Sequence, residues 1–516
     1  MAMKRVGILV VHGVGDQGAF QFLESVAVHF YKTLLKEPRR AAVLQLCRGD
    51  QAPRGSREES WRERPLRLRW RTLDPPRDDW PEWVEAHFAE VHWADLDLPP
   101  TLGRWLAFAG WALSMSGVRL FADSLVWRHR RAVMSLPRPL TGGRRALVRL
   151  QLFGLSLLFL LALLTVGLVS GLLTRLAIRV RWVEAIKDTV YNYVGDVKLY
   201  QDWFVRTDTR AEVYGEKSRV AIRRRMVRRV LAMAKEVEEG RLDGFYVIAH
   251  SLGSVVAFNA LMELDTTLPN YLTEREWLAL PAAFKVAARE PAPPLQMPRR
   301  PPWLGPHDAI CRARVLGGLR GFLTIGSPLD KFAAMWPVIV PVNREPLGRD
   351  VAWYNVADRQ DLVAGRIDLF PLPEPSSGRG GFRLTNLEWT DQWWPFTAHT
   401  SYWKAGPRDD RLIDRLIAWV EGAPTLEAPA DRYPACPARL LFCLWILVPS
   451  LLVCGALAAL LSLVVSEPWC SFLWSVPCPA SFSVLRALGW VLGGGVALVL
   501  TASIARRIWE EARFRR

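Results

Sequence analysis

The stretch Phe245-Tyr246-Val247-Ile248-Ala249-His250-Ser251-Leu252-Gly253-Ser254 reads as a buried strand, a sharp turn at Ser251 and a helix running from Val255 to Leu264. A serine hydroxyl is a weak nucleophile until a base takes its proton. A strained strand-to-helix turn presents the hydroxyl at the sheet edge, where a base can reach it. The small-x-Ser-x-Gly pattern needs small flanks because the two arms of the turn pack on each other. Here the first small residue is Ala249, whose methyl fits, and the last is Gly253. Ser251 is expected to stand exposed at the C-terminal edge of a parallel sheet, with the Leu252 N–H facing a developing oxyanion. The plain alternative is a serine that N-caps an ordinary helix. Chemistry requires an oxyanion strand before the turn, and an acid and a histidine after it.

Those parts follow in order. Val6-Gly7-Ile8-Leu9-Val10-Val11 is a short apolar run of the kind that makes a central parallel strand. It ends in His12-Gly13-Val14-Gly15-Asp16-Gln17-Gly18, where Gly13 and Gly15 would let the backbone approach a substrate and the Val14 N–H is the expected second oxyanion donor. A phosphate loop is a poor reading, because the Lys-Ser/Thr of a P-loop and the GxGxxG spacing are both missing. Two histidines follow Ser251, namely His307 and His399. His307 lies in a Pro-rich insertion, whereas His399 comes late, before the helix Arg411 to Glu421. His399 is therefore the expected base. For the acid Asp361 fits, with Asp358 and Asp330 as rivals, and Asp358 also reads as a turn-forming side chain. His12, Gly13, His250 and Gly253 are supporting residues.

The order nucleophile, acid, histidine and these motifs resemble the α/β-hydrolase superfamily of lipases and esterases. Within it, the chain is similar to the intracellular phospholipase A1 group that carries a DDHD domain. That group has a Val-His-Gly strand end, a Ser-His-Ser-Leu-Gly-Ser elbow and an Asn-x-x-x-x-x-Asp-Pro-Val-Ala turn. The counterparts here are Val11-His12-Gly13, Ala249 through Ser254, and Asn355 through Asp361-Leu362-Val363-Ala364; Gly195 through Tyr200 echoes an Asp-Val-x-x-Tyr segment. Leu362 stands where that group has proline, and the four-residue namesake motif is not evident. The resemblance implies a mostly parallel sheet flanked by helices, favours Asp361 over Asp358, and implies ester hydrolysis through an acyl-enzyme with no metal or organic cofactor. Acyltransferase or thioesterase chemistry would use the same residues, and a non-catalytic membrane scaffold is the alternative from another class.

Around these motifs the chain reads as a helix at Gln21 to Leu35 and a surface stretch at Arg39 to Pro76 with a strand at Leu66–Trp70. A helix is expected at Pro81 to Trp93, a long charged helix at Arg210 to Glu238, and strands at Gly321 to Ile325 and Ala352 to Val356. His87 and His92 are five apart, which is not a metal-ligand spacing on a helix. The hydrolase portion is expected at 1–100 and 181–430, with a cap-like insertion at 267–313.

The net charge of +16 comes mostly from arginine. No nucleic-acid-binding signature accompanies it, and the arginines crowd around apolar runs. Leu152–Leu173 is 22 residues without a charge, and Leu440–Val465 and Ala487–Ala505 are comparable. Each is long enough to span a bilayer as a helix. Trp105–Val118 is too short by that measure, and the linker from Arg128 to Arg149 holds seven arginines. Because the Val6–Val11 and Ser251 strands share one sheet, the chain must cross a membrane an even number of times between them. Either Trp105–Val118 and Leu152–Leu173 form a hairpin, which puts the arginine linker outside against the positive-inside tendency, or neither spans; a membrane-associated insertion is expected at 101–180 in both cases, and a two-helix anchor at 431–516. The loop Ser466 to Ser483 has no Lys or Arg, while Arg439 and Arg506 to Arg516 flank the anchor. The positive-inside rule then puts the catalytic part on the cytoplasmic face. The early strand leaves no room for a cleavable signal peptide. Cys443 and Cys454 lie within an apolar run; Cys470 and Cys478 can pair only if their loop meets an oxidising compartment. The expected partners are the lipid bilayer and a lipid or other ester substrate. No oligomeric state is legible.

Overall fold

The computed structural model describes residues 3–13, 19–36, 40–46, 66–72, 81–96, 200, 216–291, 298–335, 339–340, 347, 351–361, 363–368, 370, 383–392, 398–403 and 412–432. The chain divides into two units, Met1–Leu98 with Asn192–Pro434, and Pro99–Tyr191 with Ala435–Arg516; every described residue belongs to the first. The apolar runs 105–118, 152–173, 440–465 and 487–505, the arginine-rich linker and the four cysteines named above lie outside the described residues. Among the described residues, no helix is long and apolar enough to cross a membrane.

In chain order the elements begin with β1 (Met3–Val11), α1 (Gln21–Lys36), β2 (Arg40–Leu46), β3 (Leu66–Thr72) and β4 (Trp83–Val91). They continue with α2 (Ser218–Glu238), β5 (Gly244–His250) and α3 (Leu252–Leu261). A small insert carries α4 (Glu274–Leu278), β6 (Lys285–Ala287), β7 (Asp308–Ile310) and α5 (Arg312–Leu316). The last are β8 (Leu319–Ile325), α6 (Leu329–Met335), β9 (Ala352–Asp358), β10 (Leu384–Trp389) and α7 (Leu412–Glu421).

One sheet of eight strands runs in the order β10-β9-β8-β5-β1-β4-β3-β2. The six strands from β10 to β4 are mutually parallel, and β3 is antiparallel to both β4 and β2. The protein is therefore α/β with a mostly parallel sheet. Strand β5 is buried at every position, as a strand covered on both faces must be. Helices α1 and α7 cover one face, closing a core that includes Ile8, Val10, Phe30, Phe88, Ile248 and Trp419. Helices α2 and α3 lie on the other face. There Gly7 leaves room for Met233, whose sulfur would lie 2.7 Å from a Cβ at that position.

Two expectations need correction at the β2–β4 edge. Within the stretch Pro81 to Trp93, Trp83–Val91 is a strand, not a helix. Val84, Ala86 and Phe88 are buried, while Glu85 and His87 are only partly so, the alternation of a strand. His87 Nε2 pairs with Glu85 Oε1 at 2.6 Å across two positions of that strand. The stretch Arg39 to Pro76 contains a second strand, β2, which forms a hairpin with β3.

The described residues of the insertion at 267–313 pack on α2 and α3. Its contacts include Arg228 with Glu276, Lys235 Nζ with the Ala279 carbonyl (3.0 Å), Arg312 Nε with the Leu261 carbonyl (2.8 Å) and Arg314 with Glu238 (2.9 Å). These contacts brace α2 and the C-terminal end of α3, the end away from Ser251.

Glu90, near the end of β4, accepts the Phe20 N–H at 2.6 Å where α1 begins. Burial pushes its carboxyl from 4.5 up to about 7, against the pull of the Phe20, Leu23 and Phe22 N–H groups. Between those two pH values the folded chain holds a proton that the unfolded chain has lost, so stability falls as pH rises from about 4.5 to about 7. Glu90→Gln should remove that slope, which is worth on the order of 2–3 kcal/mol. Chemical denaturation at pH 5 and pH 8 checks it: His12 and His250 add a rise of their own to both proteins, so the readout is the difference, and Glu90→Gln should gain that much stability relative to the wild type between pH 5 and pH 8.

Candidate active site

The chain leaves β1 toward β4, β3 and β2, then returns to build β5, β8, β9 and β10 on the other side. The carboxyl ends of β1 and β5, with Val11 paired to Ala249, therefore form the topological switch point, where open α/β sheets place their ligands. His12-Gly13 and Ser251 emerge there side by side.

Ser251 joins β5 to α3 with φ 53° and ψ −130°, a left-handed backbone that a non-glycine residue adopts only when its surroundings hold it. The holding contacts are specific. The Ser251 N–H donates to the Ile325 carbonyl at 2.9 Å. The Ser251 carbonyl accepts from the Ser254 N–H at 3.0 Å and the Ser254 hydroxyl at 2.6 Å. Ser254 Oγ also meets Ser327 Oγ at 2.6 Å, tying the turn to the end of β8. The two arms pack as tightly as the small-residue pattern requires. A Cβ on Gly253 would lie 2.3 Å from the His12 carbonyl oxygen and 2.6 Å from that of Val11. Both obstacles are backbone, so Gly253→Ala cannot be relieved by a side-chain shift. It should cost about 2–4 kcal/mol, seen as a lowered midpoint in urea.

Ser251 does not stand open at the sheet edge, as the sequence suggested. It is 1% exposed, because Gly13 and His399 pack against it. A Cβ on Gly13 would lie 2.5 Å from that of Ser251, so the first loop can approach the serine only as glycine.

His399 Nε2 lies 2.8 Å from Ser251 Oγ, and His399 Nδ1 lies 2.8 Å from Asp361 Oδ2. A carboxylate only accepts, so Nδ1 carries the proton and Nε2 is left to accept the serine O–H. Asp361 Oδ1 accepts the N–H groups of Val363 (2.8 Å) and Ala364 (3.1 Å). Tyr402 donates its hydroxyl to Oδ2 at 2.7 Å. Burial alone would raise the Asp361 carboxyl, but the His399 bond and charge, with Tyr402 and Ala364, outweigh it and hold the group below its ordinary value.

The rivals serve elsewhere. Asp358 accepts the N–H groups of Gln360 (2.8 Å), Asp391 (3.0 Å) and Gln392 (3.1 Å), joining the ends of β9 and β10. Burial pushes its carboxyl up to about 6, opposed by those three N–H groups. Asp330 accepts the Asp368 N–H at 3.0 Å, and His307 donates to the Ala288 carbonyl at 3.0 Å inside the insertion.

Both supporting histidines are neutral frame members. Burial pushes His12 and His250 down to about 3. His250 Nε2 donates to the His399 carbonyl at 2.9 Å and so anchors the histidine loop. His12 Nδ1 donates to the Gly13 carbonyl at 2.8 Å, while its Nε2 accepts the Trp93 N–H at 3.0 Å. The Trp93 ring stacks on it at 4.8 Å, and the indole N–H donates to the His12 carbonyl at 3.2 Å. Leu252 opens α3 directly after the serine. Val14 lies outside the described residues.

Sequence reasoning missed Tyr402, Trp93, Ser254 and Ser327. A hydroxyl residue three positions after Ser251, and another three after His399, were visible signals for two of them. Tyr200, from the Gly195–Tyr200 segment, is buried and accepts the Asn259 amide of α3 at 2.7 Å. Among the described residues, no group of His, Cys, Asp and Glu could hold a metal ion. No family model matches the chain, and neither a curated protein nor a solved structure is detectably similar to it.

Proposed function

We propose that this chain is a serine hydrolase of α/β-hydrolase type, related to the DDHD phospholipase A1 group, that cleaves carboxylic esters by an acyl-enzyme mechanism. The carrying observation is the unbroken relay from Ser251 through His399 to Asp361, two contacts of 2.8 Å at the switch point of a parallel sheet. Ser251 Oγ attacks the ester carbonyl as His399 Nε2 takes its proton. Asp361 steadies the imidazolium that results, and His399 then protonates the leaving alcohol. The Leu252 and Val14 N–H groups hold the oxyanion, each such donor being worth about 10²–10³ in rate. Water activated by the same histidine releases the acid. The apolar runs support a membrane-anchored enzyme with its catalytic part on the cytoplasmic face. An acyl ester of a membrane lipid is then the substrate class that needs least transport.

The test is hydrolysis by membranes containing the full chain. The substrates are p-nitrophenyl esters of two to sixteen carbons and phosphatidylcholine vesicles, with products separated with and without an added alcohol. Free fatty acid as the main product in both conditions supports the hydrolase. Acyl transfer to the alcohol in preference to water overturns hydrolysis in favour of a transferase, and no turnover of any ester overturns the enzymatic reading.

A further inference from the structure

Asp361 Oδ2 carries two donors, His399 Nδ1 at 2.8 Å and the Tyr402 hydroxyl at 2.7 Å. The phenol oxygen in turn accepts the Asp358 N–H at 3.0 Å. A phenol has one proton, and with a backbone N–H already donating to its oxygen, that proton belongs to Asp361. Tyr402 is buried, its ring edge-on to Trp389 (5.8 Å) and His250 (6.0 Å), so the hydroxyl has one seat. It comes from the same short loop as His399, whereas Asp361 and Asp358 come from the end of β9.

We propose that Tyr402 is a positioning residue of the candidate triad: it clamps Asp361 and draws charge from the very oxygen that His399 uses, and so sets how strongly Asp361 grips the histidine. This rests on the hydrolase reading for its effect on rate, but not for its effect on the hydrogen bond. Among the described residues, the ionisable groups facing this centre are Asp361, Asp358, His399 and His250. Burial between two carboxylates pushes the ionisation of Tyr402 well above its ordinary range, which keeps it a donor.

The sign of the effect is definite. Without the phenol proton, Asp361 Oδ2 is a stronger acceptor and stabilises the imidazolium more. In Tyr402→Phe the acidic limb of kcat/KM should move up by about half a pH unit. The loosened carboxylate should lower kcat on the order of tenfold, the worth of one hydrogen bond to a charged group, with KM roughly unchanged. In the 15N-histidine-labelled full chain the His399 Nδ1 proton resonance should move downfield. Incorporating 3,5-difluorotyrosine at position 402 keeps the ring and the fold but strengthens the donor, so limb and resonance should both move the other way. Opposite shifts for the two replacements support the proposal. An unmoved Nδ1 resonance in the fluorinated protein overturns it, even if Tyr402→Phe fails to fold. A wild type without esterase activity would refute the hydrolase reading, yet the resonance shifts would still decide the role of Tyr402.

Discussion

Ser251→Ala should lower ester hydrolysis by about 10⁴–10⁶-fold, while circular dichroism and the melting transition stay close to those of the wild type. The residual rate should not be carried by a neighbouring hydroxyl. Ser254 is the nearest in sequence, but its Oγ is held between the Ser251 carbonyl and Ser327 at 2.6 Å each. His399→Ala should cost a similar factor, because the two residues act as one unit. The double variant should then be little worse than either single one, since groups that share a step do not contribute additively. Steady-state rates on a short p-nitrophenyl ester check both statements. Additive losses would mean that Ser251 and His399 act in separate steps.

Asp361→Asn should lower kcat by about 10⁴-fold with little effect on KM, and the direction follows from the hydrogen bonds. Oδ1 accepts two backbone N–H groups, so the amide oxygen of asparagine is forced into that seat. The NH₂ then faces His399 Nδ1 and Tyr402. Donor meets donor, and the imidazole moves its proton to Nε2, where it can no longer accept from Ser251. Asp358→Asn is the contrast. Its carboxylate serves three backbone N–H groups at the junction of β9 and β10. It should cost stability while lowering kcat by less than about tenfold. The pair of variants, each measured for kcat and for urea midpoint, separates acid from turn-builder.

That separation was only partly legible in the sequence. Asp358 and Asp361 share one loop and both accept local N–H groups; only the direction of one oxygen toward a histidine 38 residues away distinguishes them. The elbow was readable because its demands are local: an apolar strand, two small residues and a helix. The segment 81–93 was misread because Trp83, His87 and Val91 recur every four residues, a spacing that fits both a helix and one face of a strand. The alternation of Val84, Ala86 and Phe88 was the deciding signal. For the insertion, proline and arginine content says that a segment is irregular, not which end of α3 it braces. Trp93 and Tyr402 were invisible for a different reason. Their partners His12 and Asp361 lie 81 and 41 positions away, brought close only by the pairing of β1 with β4 and by the loop after β10.

The most direct test of the central claim, that Ser251 is an activated nucleophile, is labelling with a fluorophosphonate probe in membranes containing the full chain, followed by peptide mapping. One adduct is expected, on Ser251, lost in Ser251→Ala and sharply reduced in His399→Ala. A folded wild-type protein with no adduct at Ser251, or labelled at another serine instead, would contradict it.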